Sequence, residues 1–315
     1  MKEIIIDKTN EKQRLDKYLK RILPEASNSF IYKMLRKKNI ELNSKRAKGD
    51  EILKAGDSVK LFFSDDTYLK MTKHTDIDSD EYLKAFSQIQ GITVVFEHTD
   101  FLVINKPSGV LSQKDDSGKL SVNEWGIGYL LKNGSIDEES LAYFKPSVLN
   151  RLDMNTRGLL IIGKTLTGSR RISEMLKKRT IHKYYRAKVD NGCSLNGEYS
   201  AYISKNSKTN KVTVYADSDE IPANLKYSLI KTGIYVSSQT NDDTFLDIEL
   251  ITGKSHQIRA HLAFLGFPIK GDIKYGYKGN SEVHFQDLKA YKIVFPSFDE
   301  NDDWYDLNNK IISIK

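Results

Sequence analysis

Beyond residue 92, most of the apolar residues occur in short runs that are too brief for long helices. Eight runs have the length and composition of β-strands, and only two have helical spacing. The strand-like runs are 93–97, 101–105, 148–152, 159–163, 183–189, 211–215, 226–230 and 245–250, and the helical runs are 166–178 and 256–265. Because strands outnumber helices without strict alternation, we expect an α+β domain over residues 89–315 with a mixed, largely antiparallel sheet.

The first 63 residues have a different pattern, which predicts two helices followed by a short strand pair. Pro24 should end the first helix, and Ser27 or Asn28 can cap the second. Strands are expected at 40–43 and 59–62, with a turn at 55–57. The apolar stripes are Leu15, Tyr18, Leu19 and Ile22 in the first helix and Phe30, Ile31, Met34 and Leu35 in the second.

The positive charge of the chain is concentrated in this N-terminal segment. Residues 1–62 contain sixteen Lys or Arg and nine Asp or Glu, and this excess of seven equals the net charge of the whole chain. Such a segment suits an anionic partner, although charge runs often belong to a merely solvated helix face. Residues 64–88 are instead interpreted as an acidic linker. Its acidic residues are Asp65, Asp66, Asp76, Asp78, Asp80 and Glu81.

Residues 1–63 resemble the S4-type RNA-binding domain. The resemblance rests on Arg-Leu-Asp-Lys-Tyr-Leu at 14–19, Lys-Met-Leu-Arg-Lys-Lys-Asn-Ile at 33–40 and Ala-Gly-Asp at 55–57. It implies that a group of basic side chains faces RNA phosphates. These are Lys33, Arg36, Lys37, Lys38, Lys45 and Arg46.

Several classes of protein are disfavoured by what the sequence lacks. The single Cys193 cannot form an internal disulfide or a thiolate metal site, and we expect it to pack in a core. No apolar run approaches the roughly 18 residues of a membrane span, and the N-terminus has no signal-peptide core. We therefore expect a cytoplasmic protein, with no membrane partner and as a monomer.

A candidate reactive carboxylate lies in the segment 148–160. An apolar run leads into a polar loop that holds Asp153 between Arg151 and Arg157, and Gly158 begins the next apolar run. An isolated loop aspartate commonly binds only backbone amides. The two arginines favour an ionised acid and suit phosphate contacts, so the loop has the charges of a site that handles RNA.

A candidate aromatic platform lies in the run 183–189. Strand alternation places Tyr185, Ala187 and Val189 on one face, which we expect to point inward. Tyr185 is then either an ordinary core aromatic or a surface on which a nucleobase stacks.

The third candidate, Arg259, lies near the start of the predicted helix 256–265. Ser255 should cap this helix and Gly266 should end it. Since a cation near a helix start opposes the helix dipole, Arg259 makes better sense paired with a carboxylate. His256 and His261 are five residues apart, which is a poor spacing for joint metal ligation, and we expect no metal.

These segments closely resemble the motifs of the pseudouridine synthase family typified by the large-subunit ribosomal RNA enzymes. The family's His-Arg-Leu-Asp motif is present here as Asn-Arg-Leu-Asp at 150–153, followed by Thr-Arg-Gly at 156–158. Its Lys-x-Tyr-x-Ala-x-Val and Thr-Gly-Arg-x-His-Gln-Ile-Arg motifs are similar to 183–189 and 252–259, and its Lys-Pro-Ser-Gly is at 106–109. The departures from the first of these motifs are Asn150, where the family has His, and Arg157, where it commonly has Ser.

The resemblance implies isomerisation of uridine to pseudouridine in RNA, most readily ribosomal RNA of the large subunit, without a cofactor. It implies that Asp153 attacks or deprotonates the sugar, that Tyr185 stacks on the base and that Arg259 pairs with Asp153. Arg151 would fill the space left by the flipped nucleotide. The absence of Walker and Rossmann fingerprints agrees, because the reaction needs neither energy nor redox change.

Three alternatives remain open from the sequence. The same reaction could act on transfer RNA. A non-catalytic RNA-binding protein of ribosome assembly would be expected to lose the acid, the tyrosine or the arginine, and all three are present. A hydrolase that uses His256 lacks a partnered nucleophile in a recognisable elbow.

Overall fold

The computed structural model describes residues 1–6, 10–72, 79–206, 211–279 and 285–315. These residues form two β-sheets, each with hydrophobic clusters of its own. No helix among them is long and apolar enough to span a membrane.

The smaller sheet has four antiparallel strands, in the order β1-β4-β2-β3. Its strands are β1 Lys2–Ile5, β2 Ile40–Leu42, β3 Lys45–Arg46 and β4 Ser58–Leu61, and the accompanying helices are α1 Leu15–Ile22, α2 Asn28–Arg36 and α3 Asp65–Thr72. The predicted apolar stripe of α1 is buried throughout. The Ser27 hydroxyl caps α2 by accepting a hydrogen bond from the Phe30 amide at 3.1 Å. Strand β1 was not predicted, because its exposed edge position leaves little alternation to detect.

The larger sheet has eleven described strands. They are β5 Thr93–Glu97, β6 Phe101–Lys106, β7 Ser147–Val148, β8 Arg157–Gly163, β9 His182–Asp190, β10 Asn196–Asn206, β11 Lys211–Tyr215, β12 Tyr227–Gln239, β13 Asp243–Glu249, β14 Leu288–Val294 and β15 Ile311–Ser313. Their order is β11-β10-β12-β13-β9-β14-β8-β6-β5, with β15 beside β14 and β7 beside β8. Among the described pairs, β14 and β8 are parallel and the others antiparallel, which confirms the predicted sheet type.

Helices accompany both faces of the larger sheet. They are α4 Ser79–Gln88, α5 Val122–Lys132, α6 Glu138–Tyr143, α7 Leu166–Lys178 and α8 Gln257–Phe264. Alternate residues of β6 enter different cores: Leu102 and Ile104 pack with α5 and α8, whereas Phe101 and Val103 pack with α7 and the C-terminal segment. The central strands are therefore buried on both faces, which explains their continuous apolar runs.

The described parts of the predicted linker, 64–72 and 79–88, contain two helices that the sequence did not predict. Helix α3 packs Tyr68 and Met71 against the N-terminal core. Helix α4 buries Tyr82 and Ala85 and packs against α5. Its acidic first turn suits the helix dipole, so acidic composition did not mean an unstructured connector. Asp76 and Asp78 lie outside the described residues, and the domain boundaries themselves stay predictions.

Several elements of the larger unit were not predicted. Helix α5 is apolar on nearly all sides and contains two glycines, so it has no amphipathic period. Gly128 lets it approach α4 closely, since a Cβ there would lie 2.1 Å from the Tyr82 carbonyl oxygen. Strand β10 is polar and half exposed. The alternation of buried residues along β14 is interrupted between Ala290 and Lys292, where the pairing register shifts. The run 148–152 was expected to be a strand, but pairing ends at Val148.

Gly158 joins the loop of Asp153 to the centre of the sheet. Its φ is +118°, and it lies opposite Ala290 in the parallel pairing of β8 with β14. A Cβ at this position would lie 2.2 Å from the Ala290 carbonyl oxygen. Glycine is therefore required at position 158 for two reasons: the positive φ disfavours other residues, and there is no room for a Cβ.

We predict that Gly158→Ala lowers the free energy of unfolding by at least about 3 kcal/mol, because the backbones of β8 and β14 must separate. Gly118→Ala is the matched control: Gly118 also has a positive φ, of +69°, but faces open space. The control should lose only about 1 kcal/mol. Urea unfolding of both variants measures the difference, and equal losses would contradict the steric argument.

Candidate active site

Asp153, Tyr185 and Arg259 line one cavity of about 570 Å³ in the larger unit. Asp153 lies in the loop between β7 and β8, Tyr185 on β9 and Arg259 on α8. Three segments that are far apart in the sequence therefore contribute to a single concave site.

Arg259 joins two carboxylates inside this site. Its Nη1 donates to Asp153 Oδ2 at 2.9 Å, so the ion pair expected from the sequence is present. Its Nε and Nη2 donate to the two oxygens of Asp272 at 2.6 and 2.8 Å. Burial alone would lower the pKa of Arg259, but Asp272 and then Asp153 raise it above its ordinary value. The guanidinium is therefore a fixed cation that holds Asp153 in place.

Helix α8, which carries Arg259, begins differently from the prediction. The helix begins at Gln257, its N-cap is His256 in a left-handed conformation, and Ser255 does not cap it. Gln257 makes the side-chain hydrogen bond in this turn: its Oε1 accepts from the Thr252 hydroxyl at 2.9 Å. The predicted end is confirmed: Gly266 follows the helix with φ +88° and donates its N–H to Ala263.

The loop of Asp153 is held by the segment that follows β6. The Lys106 ammonium donates to the carbonyls of Pro107, Val110 and Met154 at 2.8–2.9 Å. The Ser112 hydroxyl accepts from the Leu152 amide at 3.0 Å and donates to the Leu152 carbonyl at 2.8 Å. The backbone on both sides of Asp153 is thus fixed by hydrogen bonds from other parts of the chain.

Lys106 has no exposed surface, which is rare for a lysine. Burial lowers the pKa of Lys106 to about 7, and the charge of Asp153 opposes this shift. Its three carbonyl acceptors favour the ammonium form, which can satisfy all of them at once.

Tyr185 faces inward as expected, together with Ala187 and Val189. Only 5% of its surface is exposed. Burial raises the pKa of Tyr185, and the charge of Asp153 raises it further. The hydroxyl therefore stays protonated at neutral pH and can act as a hydrogen-bond donor.

The two arginines beside Asp153 have separate positions. Arg151 is exposed and lines the cavity. Arg157 begins β8 beside β14 and donates to Asp287 at 3.0 Å, so its contact is with this carboxylate and not with Asp153. Asn150, which replaces the family's histidine, accepts from the Ile161 amide at 2.8 Å. Its side chain is therefore committed to the backbone of β8.

The six basic residues predicted in the N-terminal unit are exposed, and they do not line the cavity. Cys193 is buried in the core, as expected. In the described part of the chain, no group of three or more His, Cys, Asp or Glu side chains is placed to hold a metal ion.

Reasoning from the sequence missed Asp272 and Lys106 as parts of the site, and also Tyr275, whose oxygen lies 2.8 Å from Nδ1 of the cavity residue His256. Asp272 lies in a Gly-Asp pair at 271–272, thirteen residues after Arg259 in the sequence. A lone aspartate and a lone lysine give no periodic signal, so only the family motifs could have pointed to them.

His261 makes stability depend on pH. It is fully buried, its Nδ1 is hydrogen-bonded to the Thr232 hydroxyl at 3.1 Å, and its Nε2 has no partner among the described residues. Protonation would bury an unpaired charge. Burial accordingly lowers the pKa of His261 from 6.5 to about 4.

We predict that stability falls between pH 6.5 and pH 4, because the unfolded chain takes up the His261 proton over this interval and the folded chain does not. The loss attributable to His261 should reach about 2–3 kcal/mol near pH 4. His261→Gln keeps a partner for Thr232 but does not titrate, so its urea-unfolding free energy should depend less on pH by that amount. An unchanged pH dependence in the variant would contradict the assignment.

Comparisons with known proteins agree on one family. A sequence model described as RNA pseudouridylate synthase matches residues 100–264. An uncharacterized RNA pseudouridine synthase of Mycoplasma capricolum is 30% identical, with 99% of this chain and 97% of the relative aligned. The ribosomal large subunit pseudouridine synthase C of Rickettsia felis is 33% identical, with 87% of this chain and 86% of the relative aligned. The solved structure of human RNA pseudouridylate synthase domain containing 4 shares the fold, with a TM-score of 0.53 at 19% identity over 73% of this chain and 96% of that chain.

Proposed function

The chain belongs to the RNA pseudouridylate synthase family, and we propose that it isomerises specific uridines of large-subunit ribosomal RNA with Asp153 as the reacting acid. The observation that carries this proposal is the Asp153–Arg259 ion pair in a cavity that Tyr185 also lines. The preference for ribosomal RNA is supported by the name of the Rickettsia felis relative.

The reaction breaks the bond from uracil N1 to ribose C1′ and forms a bond from C5 to the same carbon. The C5 proton is lost and N1 gains a proton, so atoms and charge balance without a co-reactant. Asp153, held in position by Arg259, supplies the oxygen that attacks the sugar or removes a proton from it. The Tyr185 ring provides a face for the uracil, and its neutral hydroxyl can share a proton with the base.

The uridine must leave its helix before it can reach Asp153. A cavity of about 570 Å³ is large enough for one nucleotide. Arg151 is exposed where it lines this cavity, so its side chain is available to occupy the space that the flipped nucleotide leaves in the RNA.

We assign the N-terminal unit to the S4-type RNA-binding class. The assignment is supported by the six exposed basic side chains on and after α2 and by the charge excess of residues 1–62. These residues would contribute affinity for phosphates, and the cavity would select the uridine. A cytoplasmic location is part of the proposal and is supported by the bacterial source of the Rickettsia felis relative, and the monomeric state stays a prediction.

We predict that Asp153→Asn reduces kcat by at least about 1,000-fold and changes RNA affinity only slightly, because the change removes the ionised oxygen with little change in volume. Asp247→Asn is the matched control: Asp247 also pairs with an arginine, Arg186 at 2.9 Å, but does not line the cavity. Its kcat should stay within about threefold of wild type. Release of tritium from [5-³H]uridine in RNA measures turnover.

The same variants identify the substrate in cells. A strain that lacks the gene is complemented with wild type or Asp153→Asn, and pseudouridines are mapped by chemical labelling of total RNA. Sites that return only with wild type should lie in large-subunit ribosomal RNA. If the restored sites lie only in transfer RNA, transfer RNA is the substrate instead. If Asp153→Asn also restores the sites, Asp153 is not the reacting acid.

For the N-terminal unit, we predict that replacing Lys37 and Lys38 by glutamine reduces the slope of log K against log salt by about 1.4–1.8, since two phosphate contacts are lost. The control replaces Lys177 and Lys178, two adjacent exposed lysines at the end of α7. Filter binding of the substrate RNA across a salt series measures both slopes. Equal changes of slope in the two variants would show that the N-terminal lysines contribute no more to RNA binding than other exposed lysines do.

A further inference from the structure

The two oxygens of the Asp153 carboxylate have different surroundings. Oδ2 accepts from Arg259, whereas Oδ1 lies 4.0 Å from His256 Nε2. This separation is too long for a direct hydrogen bond. It is suited to an intervening oxygen atom that lies about 2.8 Å from both groups.

Tyr275 determines which nitrogen of His256 carries the proton. The Tyr275 oxygen accepts from the Val212 amide at 3.2 Å and lies 2.8 Å from His256 Nδ1. If the hydroxyl donates its proton to Nδ1, both of these contacts are satisfied hydrogen bonds. We infer that neutral His256 then carries its proton on Nε2, which faces Asp153.

The surroundings of His256 favour this neutral form. Burial lowers the pKa of His256, Asp153 opposes the shift, and the cations Arg259, Lys274 and Lys205 lower it further. The backbone of His256 is also held in the left-handed region, with φ +53°. A non-glycine residue in this conformation costs free energy and is typical of functional sites.

A group between Nε2–H and a carboxylate must accept one hydrogen bond and donate another. In a uridine within an RNA chain, the uracil carbonyls only accept and N3–H only donates, while the 3′ and 5′ oxygens are esterified. The ribose 2′-hydroxyl is the group that does both, and DNA lacks it. We propose that His256 and Asp153 Oδ1 together bind the 2′-hydroxyl of the target uridine, which makes His256 a determinant of specificity for RNA over DNA. This inference rests on the proposed function.

The test uses two stem-loops around the mapped uridine, one with ribouridine and one with 2′-deoxyuridine at that position. The variant is His256→Asn, because asparagine tolerates the left-handed backbone but its short amide cannot span Tyr275 and the cavity. We expect kcat/KM on the ribouridine stem-loop to fall about 10- to 100-fold. The inhibition constant of the 2′-deoxyuridine stem-loop, measured in competition with the ribouridine one, should change less than about twofold.

His182→Asn is the matched control, since His182 is an exposed histidine of β9 that does not line the cavity. It should leave both quantities unchanged. If His256→Asn weakens the 2′-deoxyuridine stem-loop in proportion to its loss on ribouridine, His256 does not bind the 2′-hydroxyl and the proposal is wrong. Failure of the proposed function looks different, because wild-type enzyme would then form no pseudouridine in any RNA.

A second measurement examines the role of Tyr275 directly. In the full chain labelled with [¹⁵N]histidine, the His256 spectrum should show the Nε2–H tautomer in wild type. Tyr275→Phe removes only the hydroxyl and should convert this to a tautomer mixture, with a several-fold loss of kcat/KM on the ribouridine stem-loop alone. An Nδ1–H tautomer in wild type would overturn the proposed donor.

Discussion

The structure of the site depends on one buried cation. Arg259 is 7% exposed and lies between Asp272, which is almost fully buried, and the partly exposed Asp153. An arginine can be held in such a place only when carboxylates neutralise it and accept its hydrogen bonds. Asp272 fixes two of its nitrogens, so the third has a defined position for Asp153. Asp153 is thus oriented by an arginine that Asp272 holds in place.

The loop that carries Asp153 is rigid for a related reason. Its backbone carbonyls are bound by Lys106 and Ser112, and its exit through Gly158 is fixed against β14. Strand β8, into which the loop leads, and its neighbour β6 are buried on both faces. The side of Asp153 that faces the cavity stays free for substrate, while the backbone around it is part of the central core. The backbone of this short polar loop is therefore fixed by hydrogen bonds and by its connection to a central strand.

Charge is divided between the two units. The first 62 residues have an excess of seven positive charges, which equals the net charge of the whole chain, whereas residues 89–315 have an excess of only three. Within the larger unit, cations such as Arg157, Arg186 and Lys188 are paired with nearby carboxylates. With the roles proposed above, long-range attraction for RNA would reside mainly in the N-terminal unit, whereas the cavity would recognise a nucleotide through short-range contacts. Affinity and chemistry can then vary independently.

The sequence determined which residues could be reactive. Strand alternation showed that Tyr185 faces inward, the helix dipole indicated that Arg259 needs a carboxylate, and the family motifs brought Asp153 into the same set. Helix α7 was predicted with its observed bounds. Tertiary structure decided the partners: Arg259 contacts Asp153 across 106 residues and is shared with Asp272, while Arg157 turns to Asp287. Tertiary structure also decided the packing of α4 against α5, which is apolar on nearly all sides. Periodicity and dipoles act over a few residues and can be read along the chain, but the choice of an ion-pair partner depends on how strands and helices pack in three dimensions.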